Sequence, residues 1–267
     1  AGDVILESAG GGSDAVYAVI SYALAAGSSV ELLSAIDPGS TAAINLTGNN
    51  LAQTIIGTAG VNILIGGAGN DVLAGGAGND FYRVEDAGDV ILEGAGGGSD
   101  SVYATVSYTL GADAEVELLS AIDPGSSAPM NLTGNGFANS IYGNAGVNIL
   151  DGKGGNDLLT GGAGNDIFAF TSALGAGNVD AIADFTAGAD GFRLDDVVFT
   201  GIGALGALGA NAFVTGSAAA DLDDRIVYNQ ATGQLFFDED GSGAGAAILF
   251  ATLQGAPVLS ASNFEVI

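Results

Sequence analysis

Large apolar residues recur at every ninth position through two stretches of the chain. They fall at Leu46, Ile55, Leu64, Leu73 and Tyr82, and again at Leu132, Ile141, Leu150, Leu159 and Phe168. Each is the middle of a three-residue run bracketed by glycine-rich, polar segments. Side chains alternate across a strand, so each run predicts a short strand whose middle residue points inward while its neighbours point out. Two nine-residue units then make one winding of eighteen residues, and turns two units apart stack on the same edge.

The turns carry their own pattern, clearest over residues 66–83 as GGAGNDVLA and GGAGNDFYR and over 152–169 as GKGGNDLLT and GGAGNDIFA. Glycine at the first, second and fourth places lets the backbone bend through positive φ. With no side chains in the way, carbonyls of the first and third places (Gly66, Ala68, Gly75, Ala77, Gly152, Gly154, Gly161, Ala163) can converge on one spot. The sixth place adds a carboxylate at Asp71, Asp80, Asp157 and Asp166. Carbonyls with a carboxylate suit Ca²⁺, which takes six to eight oxygens in loose geometry; zinc would call for His or Cys. A lone glycine turn ending in Asn-Asp is an ordinary solvated turn. Four of them at this spacing, repeated 86 residues apart, read as several calcium sites.

These units resemble the RTX family, the glycine- and aspartate-rich nonapeptide repeats of hemolysin-type proteins and serralysin-type proteases. The resemblance is specific over 66–83 and 152–169 and degenerate over 39–65 and 125–151. It implies a right-handed parallel β-roll with Ca²⁺ held between stacked turns. Stacking two turns apart pairs Asp71 with Gln53, Asp80 with Asn62, Asp157 with Asn139 and Asp166 with Asn148. One partner in each pair is an amide where the family usually has Asp. An amide oxygen still coordinates but brings no charge, so Asn62 and Asn148 are expected as weak ligands. Asp89 falls at a sixth place if the register continues past Arg83, and would complete a site with Asp71. For Asp3, Asp14, Asp89 and Asp100 a solvated turn is at least as good a reading. Lys153 stands at a second place, and Leu51 and Phe137 at fourth places, where glycine is expected.

Charge and composition narrow the function. There are 31 acidic residues against four basic ones, Arg83, Lys153, Arg193 and Arg225, for a net charge of −27. That argues against nucleic acid or anionic membrane as a partner. Gly contributes 46 of 267 residues, but 48% are hydrophobic, too many for a disordered chain. Cysteine is absent, so no disulfide staples the fold, and calcium would take that role. Histidine is absent too, which removes zinc-protease motifs, Ser–His–Asp triads and imidazole bases. No apolar run reaches membrane-spanning length, so membrane insertion is not expected. The chain is expected to be non-catalytic.

Residues 1–83 and 87–169 are two copies of one unit, offset by 86 without insertion; VELLSAIDPGS occurs at 30–40 and at 116–126. Ala1 lies inside a repeat, and the expectation is a fragment or processed form of a longer protein. Within each copy, 3–7 and 16–22 read as strands, and 30–36 as a strand or a helical turn. The architecture read from the sequence is all-β: residues 1–86 and 87–169 as tandem parallel β-roll copies, with nonapeptide rolls at 39–83 and 125–169, and 170–267 as a β-rich cap. In that cap, Asp180-Ala-Ile-Ala-Asp184-Phe-Thr-Ala-Gly-Ala-Asp190 resembles the stretch that closes rolls in serralysin-type proteins. Residues 193–194 and 197–199 read as strand, 223–228 and 234–237 as a hairpin, and 246–253 as a further strand. Asp238 to Ser242 reads either as a short calcium loop or as an acidic hairpin turn. The terminal Asn263-Phe-Glu-Val-Ile267 resembles an uncleaved export signal of type I secretion substrates, and equally fits a last strand in a core.

The resemblance implies a secreted or cell-surface module that folds on calcium after type I export, with the type I machinery and calcium as partners. Near-identical copies also fit a surface layer, filament or adhesin stalk that self-associates. A third reading is the tail of a larger extracellular enzyme.

Overall fold

The computed structural model describes residues 4, 5, 7 and 11–267; Asp3 and part of the strand expected at 3–7 lie outside them. The described residues contain strands, turns and two short 3-10 segments, and no α-helix. The chain packs as two units, Ala1–Ile122 and Asp123–Ile267.

In the first unit, strands alternate between two parallel sheets. One runs Ala15–Ala18, Leu32–Ala35, Thr54–Ile56, Val72–Ala74 and Val90–Ile91. The other runs Tyr22–Ala23, Leu46–Thr47, Ile63–Ile65, Phe81–Val84, Ser101–Ala104 and Leu118–Ala121. Register shows the winding directly. Leu46 pairs with Leu64 and Leu64 with Tyr82, while Ile55 pairs with Leu73 and Leu73 with Ile91, each eighteen residues on. All ten ninth-position residues of the two rolls are completely buried. Alternating strands therefore face each other across a core one side chain thick. Each fully buried Leu or Ile contributes roughly 1.5–3 kcal/mol, against about 1–2 kcal/mol of backbone entropy for every residue ordered. So thin an interior needs further support.

One strand reading is corrected, and one left open is settled. The run at 16–22 bends at Val19 and Ile20, which point into solvent, and splits into Ala15–Ala18 and Tyr22–Ala23. Residues 30–36 resolve as the strand Leu32–Ala35.

The second unit continues the same design and then closes it. Met130–Thr133, Asn148–Asp151, Ile167–Phe170 and Gly191–Leu194 pair in parallel, and Phe264–Val266 follows in the same sheet. In the facing sheet Ser140–Tyr142, Leu158–Thr160 and Asp180–Ile182 lead to Ile248–Leu253. There the pairing turns antiparallel, through Gln234–Phe237 to Ile226–Asn229, the hairpin expected from sequence. Residues 238–247 thus form a hairpin connection, and Asp240 Oδ2 accepts the Gly245 N–H at 2.9 Å. Aromatic rings fill this end: Phe192 stacks between Phe185 and Phe264 at 4.6 and 4.7 Å, and Phe199 meets Phe237 and Phe250 edge-on. Edge strands invite non-native pairing, and the hairpin covers one such edge. Residues 197–199, expected as strand, form a turn instead. Asp195 Oδ1 accepts the Val197 N–H and its carbonyl accepts those of Val198 and Phe199, which carries Phe199 into the core and leaves Val197 outside.

Candidate metal sites

The stacking expected from the nonapeptides is present at the sixth places. Oδ1 of Asp71 accepts the N–H of Gln53, Asp80 that of Asn62, Asp157 that of Asn139 and Asp166 that of Asn148, all at 2.7–2.8 Å and across eighteen residues. All four carboxylates are buried. Their Oδ2 atoms have no hydrogen-bond partner. A buried unpaired charged oxygen is costly, and native structures rarely keep one without an ion, water or function to account for it.

The turns around them come in two kinds. In the first, the second-place residue has positive φ: Gly67 at 96°, Gly76 at 100°, Lys153 at 68° and Gly162 at 96°. In these open turns the second-place N–H points away from its own sixth-place Asp. Gly67 donates to Glu85 Oε2, Lys153 to Asp151 Oδ1 and Gly162 to Asp184 Oδ2. The aspartate is left with no donor for its second oxygen. Lys153 keeps the open shape despite its side chain, and its Nζ reaches Asp151 and Thr171 at 3.0 and 2.6 Å. First-place glycine is required here: a Cβ on Gly66 would lie 2.3 Å from Asp71 Oδ2.

The second kind seals itself. Asn49, Thr58, Asn135 and Asn144 stand at the second place, outside the positive-φ region. Their N–H groups point inward and are accepted by the amide oxygens of Gln53, Asn62, Asn139 and Asn148 at 2.7–3.1 Å. The amide nitrogens then donate onward, Asn62 Nδ2 to the Ile44 carbonyl at 2.7 Å and Asn148 Nδ2 to that of Met130 at 3.0 Å. In a closed turn the amide is thus satisfied within the protein, with no polar atom left over for an ion. Asn62 and Asn148 are therefore engaged through both amide atoms.

Acid groups from the following turn surround each open aspartate. Asp89, Glu85 and Asp86 act on Asp71, Asp100 on Asp80, and Asp190 and Asp184 on Asp166. Burial, the largest cause, and these neighbouring charges push Asp71, Asp80 and Asp166 up to about 6 from 3.8. Burial also raises Asp157 and Asp180, and the charge on Asp157 adds to the rise at Asp180. Asp89 does occupy the continued register: its Oδ1 accepts the Asp71 N–H, while Oδ2 accepts those of Glu85 and Asp86. Both of its oxygens already cap backbone.

The nonapeptide reading missed Glu85 and Glu93 and gave no ligand role to Asp180, Asp184 or Asp190. Asp180 and Asp190 could have been found by carrying the stacking rule past each roll, since they accept the N–H groups of Asp157 and Asp166. Insertions of five and six residues over the usual eighteen hide them from a fixed period.

A family model described as the RTX calcium-binding nonapeptide repeat, four copies, matches residues 47–82 and 132–168. Both rolls are RTX repeats. The RTX rolls bind Ca²⁺, several ions being consistent with the number of repeats. The residues present fit that ion, because the oxygens left without partners are hard, anionic and buried beside backbone turns. No curated protein matches this chain. Among the described residues no helix is long and apolar enough to cross a membrane.

Proposed function

We propose that this chain is a non-catalytic, calcium-folded module of a secreted or cell-surface protein, and that its ions sit in the open turns. The ligands are Asp71, Asp80, Asp157 and Asp166, with carbonyls of the first and third places: Gly66, Ala68, Gly75, Ala77, Gly152, Gly154, Gly161 and Ala163. Asn62, Asn148 and Asp89 support neighbouring turns through the hydrogen bonds described above. The observation that carries this reading is the set of buried Oδ2 atoms without partners at all four sixth-place aspartates. Bound Ca²⁺ supplies the positive charge there; the chain holds the oxygens in place and keeps water out.

With net charge −27, the ion-free chain repels itself. Low calcium inside a cell favours the unfolded form, and millimolar calcium outside favours the roll. That behaviour suits passage through a type I export channel as an unfolded chain, with the cap at 170–267 as the region that leaves first. Equilibrium dialysis against Ca²⁺ tests the binding: the parent chain is expected to hold several ions, and Asp71→Ala and Asp157→Ala each fewer. A parent chain that holds none would end this reading.

Self-assembly is a second reading. Ile63 and Phe81 are register partners on the outer face of one sheet, both more than a third exposed, and Phe81 stacks on Tyr103 at 6.3 Å. An apolar strip on the outer face of a parallel sheet suits lateral association into a layer or filament. Light scattering with and without Ca²⁺ separates assembling from monomeric chains.

A further inference from the structure

The strand Phe81–Val84 pairs with Ser101–Ala104 at an offset of twenty residues, two more than the eighteen of the nonapeptide windings before it. The extra length lies in the turn at 92–100, beyond the part of the chain that matches the RTX model. This turn brings Glu93 and Asp100 over Asp80. All three are buried, and one carboxylate oxygen from each lies within 4.8 Å of the others. Among the described residues this is the only such group of three or more acidic side chains.

Proximity of acids is not by itself a site, but two further observations point to a ligand. Asp80 Oδ2 and Asp100 Oδ2 have no hydrogen-bond partner although both residues are at most 1% exposed. Their Oδ1 atoms are committed to backbone, Asp80 to Asn62 N–H and Asp100 to Asp80 N–H, both at 2.7 Å. There is also a cradle at Gly97. A Cβ built there would lie 2.4 Å from Glu93 Oε2, 3.1 Å from the Gly76 carbonyl and 3.3 Å from Asp100 Oδ2. Three kinds of oxygen therefore converge where only glycine leaves room.

We propose that Asp80, Glu93 and Asp100, with the Gly76 carbonyl, form a calcium site of mixed Asp–Glu–Asp make-up at the joint between the first roll and the second copy. The proposal rests on the calcium reading of the rolls and extends it to residues outside the nonapeptides. Calcium holds oxygens at about 2.3–2.6 Å, so ligands on opposite sides of the ion stand roughly 4.6–5.2 Å apart. One oxygen from each carboxylate lies within 4.8 Å of the others, close enough for a single ion to reach all three. Magnesium demands a near-ideal octahedron at about 2.0–2.1 Å and gives up its water reluctantly, which disfavours it in a buried carboxylate cluster.

Tyr82 positions Glu93. Its hydroxyl accepts the Gly75 N–H at 2.7 Å and donates to Glu93 Oε1, which leaves Oε2 facing the cradle. The end of the second roll differs at one of these positions. Phe168 stands where the first roll has Tyr82, offers no hydroxyl, and packs against Phe185 and Phe192, while Asp190 takes the place of Asp100 by accepting the Asp166 N–H.

The test counts ions by native mass spectrometry and follows affinities by calorimetric Ca²⁺ titration. Glu93→Gln and Gly97→Ala are each expected to bind one ion fewer than the parent, or that ion at least tenfold more weakly, with the calcium-loaded circular dichroism spectrum retained. Tyr82→Phe is expected to weaken the same site and no other, and Mg²⁺ is not expected to fill it. Should Glu93→Gln fail to fold, Gly97→Ala decides, since it adds only a methyl group at a backbone position without positive φ. Parent stoichiometry and affinities unchanged in Gly97→Ala and in folded Glu93→Gln would overturn this site while leaving the roll sites standing. A parent chain that binds no calcium would instead remove the wider reading on which it rests.

Discussion

Asp80 and Asn62 stack on one edge of the first roll, eighteen residues apart, and finish their hydrogen bonding in opposite ways. Asp80 caps the Asn62 N–H with one oxygen and leaves the other unpaired in the interior. Asn62 directs its oxygen to Thr58 N–H and its nitrogen to the Ile44 carbonyl, and leaves nothing over. One turn asks for a cation, and the next supplies an amide in its place.

Replacing the carboxylate in an open turn should separate ion binding from intrinsic stability. Asp71→Asn is expected to weaken calcium binding at that turn at least tenfold. In chelator the same change is expected to stabilise the chain by about 1–3 kcal/mol, because a buried unpaired oxygen is removed. Thermal melts in Ca²⁺ check the first sign, and the β-sheet signal retained in chelator, compared with that of the parent, checks the second. An equal loss in the two conditions would mean that Asp71 serves packing alone.

The reverse change probes the closed turns. Asn62→Asp places an oxygen against the Ile44 carbonyl, 2.7 Å from the present nitrogen, and is expected to cost about 1–3 kcal/mol. Alone it should add no ion, since Thr58 keeps its N–H turned inward. Combined with Thr58→Gly, which permits the open shape, it is expected to create one further site. An extra ion in the single variant would show that turn shape does not control binding.

Acidity should act as a partial substitute for calcium. An unfolded Asp releases its proton near 3.8, whereas Asp71, Asp80 and Asp166 in the ion-free roll hold theirs to about 6. Between those values the folded state binds more protons than the unfolded one, so ion-free stability falls as pH rises. Chelated protein is thus expected to be more stable near pH 4 than at pH 7, with the loss complete above about 6. Calcium affinity should move the other way and weaken below pH 6. Denaturant melts across this range test the sign, and a chelated chain most stable at neutral pH would contradict it.

Backbone shape at the second place matters as much as the ligands. Gly67 has φ of 96°, and a Cβ there would lie 1.9 Å from the Asn49 carbonyl oxygen. Gly67→Ala is expected to destabilise the calcium-loaded roll by roughly 1–3 kcal/mol. A melting temperature equal to that of the parent would show that the open turn can relax at little cost.

Much of this was legible in the sequence because the nine-residue period fixes two things together. It sets which side chain faces inward, and all ten such residues are buried. It also sets which turns stack, and the sixth-place hydrogen bonds follow that rule. What escaped lies where the period breaks. Glu93 and Asp100 sit in a turn two residues longer than the nonapeptide turns, and Asp180 and Asp190 follow insertions. The turn at 197–199 was hidden because Val-Val-Phe reads as strand by composition, while Asp195 before it captures the backbone N–H groups. The division into open and closed turns depends on the sign of one φ angle. Glycine at the second place permits that sign, and Lys153 shows that glycine is not the sole residue to adopt it.

The most direct test is far-ultraviolet circular dichroism of the whole chain during a calcium titration, followed by excess chelator. If oxygens left unpaired in the open turns need the ion to stay buried, the β-sheet signal appears as calcium is added and is lost when it is withdrawn. An identical spectrum and melting curve in chelator and in calcium would contradict the account.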